Sequence, residues 1–97
     1  MLNINGKIEN DVAVVCVCGR VDSVSAGQFE KAVEEMDTVS GIALDFKELE
    51  YISSAGLRVI LKLRKKHADL EIRNASAEVY EILEMTGFTD MVNVLRA

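Results

Sequence analysis

The sequence predicts an α/β domain in which a mixed sheet of four to five strands carries three or more helices, mainly on one face. Three observations lead to this prediction. Apolar runs typical of strands alternate along the chain with amphipathic segments typical of helices. The 97 residues are 49% hydrophobic, which is enough for one core without a disulfide or a metal. The chain has no proline and its six glycines are scattered, so we expect short connections.

The first two strands are predicted to form a hairpin. Apolar and polar residues alternate over residues 2–8, and Asn10 with Asp11 is a pair typical of tight turns. Every residue from 12 to 18 is apolar. A strand of this kind is usually covered on both faces, and we expect that here.

The first helix is predicted over residues 25–37. Residues 19–23 interrupt the strand pattern, and Ser25 is a suitable N-cap. The apolar positions at helical spacing are Phe29, Ala32, Val33 and Met36. The opposite face of this helix is acidic.

A third strand and a second helix follow. Residues 41–46 are predicted as a strand, and residues 47–52 lead into a turn at residues 53–56. The next helix is predicted over residues 54–68. Its apolar face holds Leu57, Ile60 and Leu61, and its charged face holds Arg58, Lys62 and Lys65.

The last part of the chain predicts a short strand over residues 70–73 and a third helix over residues 76–86. Ser76 is the expected N-cap, and Gly87 suits the left-handed position after the helix. The apolar positions of this helix are Val79, Ile82, Leu83 and Met85. Residues 91–95 alternate and predict either a strand or a short helical turn.

The charge and hydropathy of the chain exclude several classes of protein. It has 11 Lys and Arg against 16 Asp and Glu, and a net charge of −5 is the wrong sign for a protein that binds nucleic acid directly. No apolar run approaches the roughly 18 residues of a membrane helix, and the N-terminus lacks the pattern of a leader. We therefore expect one cytoplasmic domain over residues 1–97, with no membrane partner.

The residues that most often carry chemistry form no catalytic or metal-binding pattern here. Cys16 and Cys18 lie two apart in an apolar run, where they share one face of a strand and do not easily form a bridge. We expect both thiols to be buried, reduced and inert. His67 is the only histidine, and we expect it to be solvated near the end of a helix. The chain therefore predicts no enzyme, no cofactor and no metal site.

Two serines lie where a strand is predicted to end and a helix to begin. At such a point Ser53 or Ser54 could cap the helix, which is a common structural role for serine. A hydroxyl there could also accept a phosphate, which would add about −1.5 to −2 charge at an exposed position. The residues alone leave both interpretations open.

A basic segment follows these serines. Between residues 54 and 68 there are five basic residues and no acidic one. They are Arg58, Lys62, Arg64, Lys65 and Lys66. Such a segment is either a solvated helix face or a docking face for an acidic partner. Arg20, Asp22 and Ser23 follow another predicted strand, so they would join the serines in one contact surface if the two strands are parallel neighbours.

Four segments, in this order along the chain, resemble the STAS-domain proteins, and specifically the bacterial anti-sigma factor antagonists. Residues 51–61, YISSAGLRVIL, resemble the signature segment of these proteins. Residues 19–22 are similar to their Gly-x-Leu/Val-Asp segment, residues 44–46 to their third strand, and residues 84–88 to the end of their third helix. The fold expected from the resemblance is a STAS-like mixed sheet.

The resemblance implies a protein that regulates others by binding. In the family, the serine two residues before the glycine is phosphorylated by an anti-sigma factor that is also a serine kinase, and a PP2C-type phosphatase removes the phosphate. That serine is Ser54 here, with Ser53 as the alternative, since Ser53 and Ala55 depart from the family's Asp and Ser/Thr. The unphosphorylated protein, expected to be a monomer, would bind the anti-sigma factor and free the sigma factor.

Nine residues are expected to contact the partner. They are Arg20, Asp22, Ser23, Ser53, Ser54, Ala55, Gly56, Arg58 and Lys62. The alternative within the same family is a subunit that is never phosphorylated and docks on a transporter complex, as in lipid transport.

Overall fold

The predicted strands and helices form in the predicted order. A computed structural model describes residues 2–37 and 41–97 of the chain. The elements are β1 (Leu2–Glu9), β2 (Val12–Val21), α1 (Ala26–Met36), β3 (Gly41–Asp45), β4 (Leu49–Ile52), α2 (Ser54–Lys66), β5 (Glu71–Ala75), α3 (Ala77–Met85), a 3₁₀ turn (Phe88–Asp90) and β6 (Asn93–Arg96). Each helix begins and ends within one or two residues of its predicted bounds.

The hairpin at the N-terminus is confirmed. Strands β1 and β2 pair antiparallel from Leu2 with Gly19 to Glu9 with Val12. The two residues between them, Asn10 and Asp11, have φ values of 49° and 64°. Left-handed conformations at both central positions are the geometry that two-residue hairpins prefer, and Asn and Asp tolerate them.

The sheet is mixed, as predicted, and the described residues contribute six strands to it. The order is β1-β2-β3-β5-β6, and β4 also pairs with β2. Strand β2 is long enough to pair first with β3, through residues 12–16, and then with β4, from Gly19 to Val21. Gly19 has a φ of 98°, and the register with β4 shifts between Gly19 and Arg20. All pairs except β1 with β2 are parallel.

The ends of the chain's third helix also agree with the sequence. The Ser76 hydroxyl accepts a hydrogen bond from the Val79 N–H at 3.3 Å, and Gly87 takes a φ of 81° after the helix. Of the two alternatives predicted for residues 91–95, the strand forms, as β6, and a 3₁₀ turn that was not predicted precedes it at Phe88–Asp90. Both ends of α3 therefore have the cap and the turn conformation that the local sequence predicts.

All three helices pack on one face of the sheet. Side chains of β2 point alternately to the two faces of the sheet. Ala13, Val15 and Val17 share one face, and all three belong to the hydrophobic core. The helical residues in the same core are Phe29 and Val33 of α1, Leu57, Val59, Ile60 and Leu63 of α2, and Val79 and Leu83 of α3. The apolar face predicted for α2 is confirmed at Leu57 and Ile60, which are buried, and Leu61 is half-buried against the same core.

The opposite face of the sheet carries Cys16 and Cys18, and the prediction that both are buried is wrong. Both thiols are free and half-buried. On the neighbouring strands Cys16 lies opposite Asn5 and Asp45, which are polar, and the helices in residues 2–37 and 41–97 contribute their core residues to the other face. The Cys16 Sγ lies 3.9 Å from Asp45 Oδ2. Burial, together with the Asp45 charge, raises the pKa of the Cys16 thiol.

No helix in residues 2–37 and 41–97 is both long and apolar enough to cross a membrane.

Candidate functional site

The loops that follow β2 and β4 lie side by side at one edge of the sheet. Arg20 pairs in parallel register with Tyr51, and Val21 with Ile52. Immediately beyond this pair, the Ser53 N–H donates to the Val21 carbonyl oxygen at 2.7 Å. The condition for a common contact surface, that the two strands are parallel neighbours, is therefore met.

The loop after β2 is organised by Asp22. Its Oδ1 accepts hydrogen bonds from the N–H groups of Val24 and Ser25, at 3.0 and 2.8 Å, and from the Ser25 hydroxyl at 3.0 Å. Its carbonyl oxygen accepts from the N–H of Ala26, the first residue of α1, at 2.9 Å. The hydrogen bonds from Ser25 are the main reason why the pKa of Asp22 lies below its ordinary value. Asp22 therefore holds the start of α1.

Ser25 is the N-cap residue of α1, as predicted, but the expected capping by its side chain does not occur. Its hydroxyl oxygen accepts from the Asp22 N–H at 3.0 Å, and its side chain makes no cap hydrogen bond to a helical N–H. The Ser25 hydroxyl is instead hydrogen-bonded to Asp22 in the turn that precedes the helix.

Ser53 and Ser54 differ in the structure: one hydroxyl caps α2 and the other is accessible. Ser53 is the N-cap of α2, in extended conformation, and its hydroxyl accepts from the Gly56 N–H at 3.3 Å. Ser54 is the first residue of the helix and is exposed. In the part of the chain that the structure describes, no hydrogen bond engages the Ser54 hydroxyl. The capping hydroxyl and the accessible hydroxyl are thus different residues.

Gly56 brings α2 close to the sheet. A Cβ at this position would lie 2.6 Å from Val21 Cγ1 and 2.7 Å from Ile52 Cγ1. Real Cβ atoms do not approach other atoms so closely, so the absence of a side chain allows this contact. Gly56 is buried, and its predicted role as a partner contact is replaced by this packing role. Ala55 beside it is half-buried.

The exposed residues at the end of β2 and in the loop after it are Arg20, Ser23 and Val24, and sequence reasoning missed Val24. The Arg20 guanidinium lies over the Tyr51 ring, 4.7 Å from its centroid. Ser23 is exposed, and Val24 is 91% exposed. An isolated aliphatic residue between polar residues in a turn is not part of an apolar pattern that a core would bury. This spacing could have predicted that Val24 is exposed.

Two of the basic residues on α2 form ion pairs with α1. Lys62 Nζ lies 2.7 Å from Glu30 Oε2, and Lys66 Nζ lies 2.9 Å from Asp37 Oδ2. The acidic face predicted for the first helix thus meets part of the basic face of the second. Lys62, expected to contact a partner, already has an intramolecular one.

The remaining cations on α2 differ in their surroundings. The Arg64 Nε donates to the Met91 carbonyl oxygen at 3.1 Å. Arg58 and Lys65 are exposed, and neither has a hydrogen bond or an ion pair with any described residue. Arg58, Arg64 and Lys65 are therefore the cations of this helix with no ion pair among the described residues, and of these Arg58 lies nearest to Ser54.

His67 is not solvated, contrary to the prediction. Its side chain is only 10% exposed, and its Nε2 lies 2.8 Å from Asp37 Oδ1. Burial alone would raise the pKa of Asp37, but the hydrogen bonds and charges of Lys66 and His67 outweigh burial and lower it. This contact joins the C-terminal ends of α1 and α2. Ser54 is the first residue of α2, and His67 directly follows the last one, so the two lie roughly 20 Å apart along the helix axis. His67 is therefore too far away to act as a general base for the Ser54 hydroxyl.

A shallow apolar groove lies beside Ser54. It has a volume of about 260 Å³ and is lined by Ser54, Leu57, Arg58, Leu61, Thr86 and Phe88. Met85, predicted on the apolar face of α3, is instead 78% exposed. Residues 84–88 matched the pattern of a family segment, but the sequence assigned them no place in the contact surface. Only the tertiary structure brings Thr86 and Phe88, which follow α3, next to Ser54.

Comparison with known proteins gives a consistent result. A model of the STAS domain matches residues 3–96. The chain is 28% identical over 102 residues to the anti-sigma-B factor antagonist of Listeria monocytogenes, covering 96% of this chain and 90% of that protein. An anti-sigma factor antagonist from Mycobacterium paratuberculosis matches with a TM-score of 0.90 at 19% identity, over 100% of this chain and 87% of that one. The Bacillus cell fate determinant SpoIIAA in its phosphorylated form matches with a TM-score of 0.68 at 14% identity, over 97% and 90%.

Proposed function

The chain belongs to the STAS domain family, and on that premise we propose that it is an anti-sigma factor antagonist. It binds an anti-sigma factor that is also a serine kinase, and this binding releases the sigma factor. It acts in the cytoplasm as a monomer, with one STAS domain over residues 1–97. The match to the Listeria antagonist over 96% of the chain supports this proposal.

Phosphorylation of Ser54 switches the antagonist off. The observation that supports Ser54 as the acceptor is the difference between the two serines. The Ser53 hydroxyl caps α2, whereas Ser54 is exposed and its hydroxyl makes no hydrogen bond with any described residue. The kinase transfers the γ-phosphoryl group of ATP to Ser54 Oγ, which loses its proton, and ADP leaves. A PP2C-type phosphatase hydrolyses the ester and restores the hydroxyl.

The switch needs no refolding. Ser54 lies on the surface, so its phosphate adds about −1.5 to −2 charge there without entering the core. Desolvating that charge against a partner that offers no new cation costs several kcal/mol, and about 4 kcal/mol corresponds to a thousandfold loss of affinity. Phosphorylation therefore prevents binding by charge and desolvation.

The partner-binding surface comprises the exposed residues of the two adjacent loops and of the first turns of α2. Of the nine predicted contacts, Arg20, Ser23, Ser54 and Arg58 are exposed and form its centre. Asp22, Ser53 and Gly56 position it, and Ala55 and Lys62 lie at its border. Val24 and the apolar groove beside Ser54 add hydrophobic contact area.

Incubation with the anti-sigma factor kinase of the same genome and Mg·ATP, followed by intact-protein mass spectrometry, tests the proposal. We expect one phosphate on the wild type and on Ser53→Ala, and none on Ser54→Ala. In a binding assay, Ser54→Ala should retain affinity for the kinase and Ser54→Asp should lose it. A phosphate on Ser54→Ala but not on Ser53→Ala would move the acceptor by one residue.

If no variant is phosphorylated and the chain binds no anti-sigma factor, the antagonist proposal fails. Binding to a transporter ATPase through the same surface would then support the transporter-subunit alternative.

A further inference from the structure

Three cations surround the first turns of α2, and only one of them has no described partner. Arg20 is stacked on Tyr51 at 4.7 Å, and Lys62 is paired with Glu30 at 2.7 Å. Arg58 is exposed and makes no hydrogen bond or ion pair within residues 2–37 and 41–97. We propose that Arg58 is the intramolecular counter-ion of the phosphate on Ser54. This inference rests on the proposed function, because it assigns a role to a neighbour of the phosphorylated serine.

The geometry of α2 places the two side chains together. Residues four apart on a helix have Cβ atoms about 5–6 Å from each other, and a negative group that precedes a positive one by four residues is the more favourable order. Ser54 and Arg58 have this spacing and this order, and both line the same groove. The reach of an arginine covers the distance to a phosphate on Ser54 without any movement of the backbone.

The chemistry of the guanidinium also suits a phosphate. Its planar fork of N–H donors binds two phosphate oxygens at once, which an ammonium group does not do. Leu57, Leu61 and Phe88 form apolar walls beside the pair. Because these walls reduce the water around the phosphate, the pair is less screened than one on an open helix surface.

The pairing changes what phosphorylation does to the surface. Before the modification, Arg58 offers an unpaired guanidinium to an acidic group of the partner. Afterwards the phosphate holds that guanidinium over the groove, so the partner loses a cation as well as meeting an anion. The same contact covers part of the apolar area next to Ser54.

The test measures the second ionisation of the phosphate and needs neither kinase nor partner. Phosphoserine is placed at position 54 by genetic encoding, and its pKa is followed by ³¹P NMR titration near pH 6 at an ionic strength of about 0.1 M. A surface ion pair predicts a pKa in the wild type that is lower than in Arg58→Gln by about 0.2 to 0.7. Addition of 1 M salt should reduce this difference, since the Debye length falls to about 3 Å.

Lys65→Gln is the matched control. It removes one exposed, unpaired positive charge from the same helix, but its position is roughly 16 Å from residue 54 along the axis. This is beyond the Debye length of about 10 Å at 0.1 M salt, so the titration should be unchanged. Arg58→Lys should restore part of the lowering, because it returns the charge without the two-point geometry.

Equal titrations of the wild type and Arg58→Gln would overturn the proposal. A pKa raised by Arg20→Gln and not by Arg58→Gln would also overturn it, because the stacked arginine would then hold the phosphate. Both results are independent of whether a kinase modifies Ser54, so they are distinguishable from a failure of the proposed function.

Discussion

Replacement of Gly56 by alanine tests how closely α2 must approach the sheet. The added Cβ would lie 2.6 Å from Val21 Cγ1 and 2.7 Å from Ile52 Cγ1, where ordinary contacts are longer by about 1 Å. Val21 and Ile52 are 0% and 1% exposed, on two different strands. A valine is stiff at χ1, so neither side chain moves away without displacing its neighbours.

The size of the effect follows from two opposing contributions. Overpacking of a well-packed core costs about 1–3 kcal/mol. The greater helix propensity of alanine offsets up to about 1 kcal/mol of this. Because two fully buried side chains are involved, we expect a net loss of about 1–2 kcal/mol in the free energy of unfolding. For a domain of this length that is a fall in Tm of roughly 4–16 °C.

Gly27→Ala is the internal reference for this measurement. Gly27 is also helical, in α1, but no heavy atom lies within 4 Å of the position of an added Cβ. The same substitution should therefore stabilise the protein, by about 0.5–1 kcal/mol. Urea unfolding followed by circular dichroism at 222 nm gives both values. A Gly56→Ala protein as stable as the wild type, with Gly27→Ala behaving as expected, would refute the close-approach argument.

Three further predictions concern the caps, the charged contact at the helix ends and the thiols. Ser53→Ala should lower the free energy of unfolding by about 0.5–2 kcal/mol, because Ser53 caps α2, whereas Ser54→Ala should change it little; equal losses in urea unfolding would contradict this division. Asp37→Asn should destabilise by about 1.5–3 kcal/mol at pH 7, since the carboxylate accepts from Lys66 and His67. The lowered pKa of Asp37 means that this stability is present above its ordinary value of 3.8 and is lost as the pH falls through the folded value; a difference between wild type and variant that persists at pH 2 would be inconsistent with that origin. Cys16 should react with a maleimide at pH 7 more slowly in the native protein than in urea, because its pKa is raised; equal rates by mass spectrometry would show that the strand does not protect it.

Interactions between residues close in sequence were predictable from the sequence. The hairpin turn at Asn10 and Asp11, the cap at Ser76 and the left-handed Gly87 all follow from the preferences of those residues for particular backbone conformations. The apolar spacing of Leu57 and Ile60 likewise predicted which face of α2 is buried. Each of these features depends on a segment of about four to seven residues, so no knowledge of the rest of the fold was needed.

The candidate site was predictable only in part. The motif resemblance marked Ser53 and Ser54, but the sequence did not separate a capping hydroxyl from an accessible one. Their roles depend on where the helix begins, and helix ends are hard to place when two adjacent residues are both good caps. Asp22 was expected at a contact surface, and in the structure it also orders the turn before α1 by accepting from the N–H groups of Val24 and Ser25.

Tertiary structure alone decided which distant residues meet. His67 and Asp37 are 30 residues apart, and Lys62 and Glu30 are 32 apart, so no helical or strand period relates them. The sequence by itself determined the order of the elements other than β4, and most of their apolar faces and ends, because these depend on local spacing and capping. The tertiary structure decided the parallel pairing of β2 with β4, the ion pairs between α1 and α2 and the groove beside Ser54. These features arise when separate segments pack on one sheet face, and the geometry of that packing is a property of the whole core.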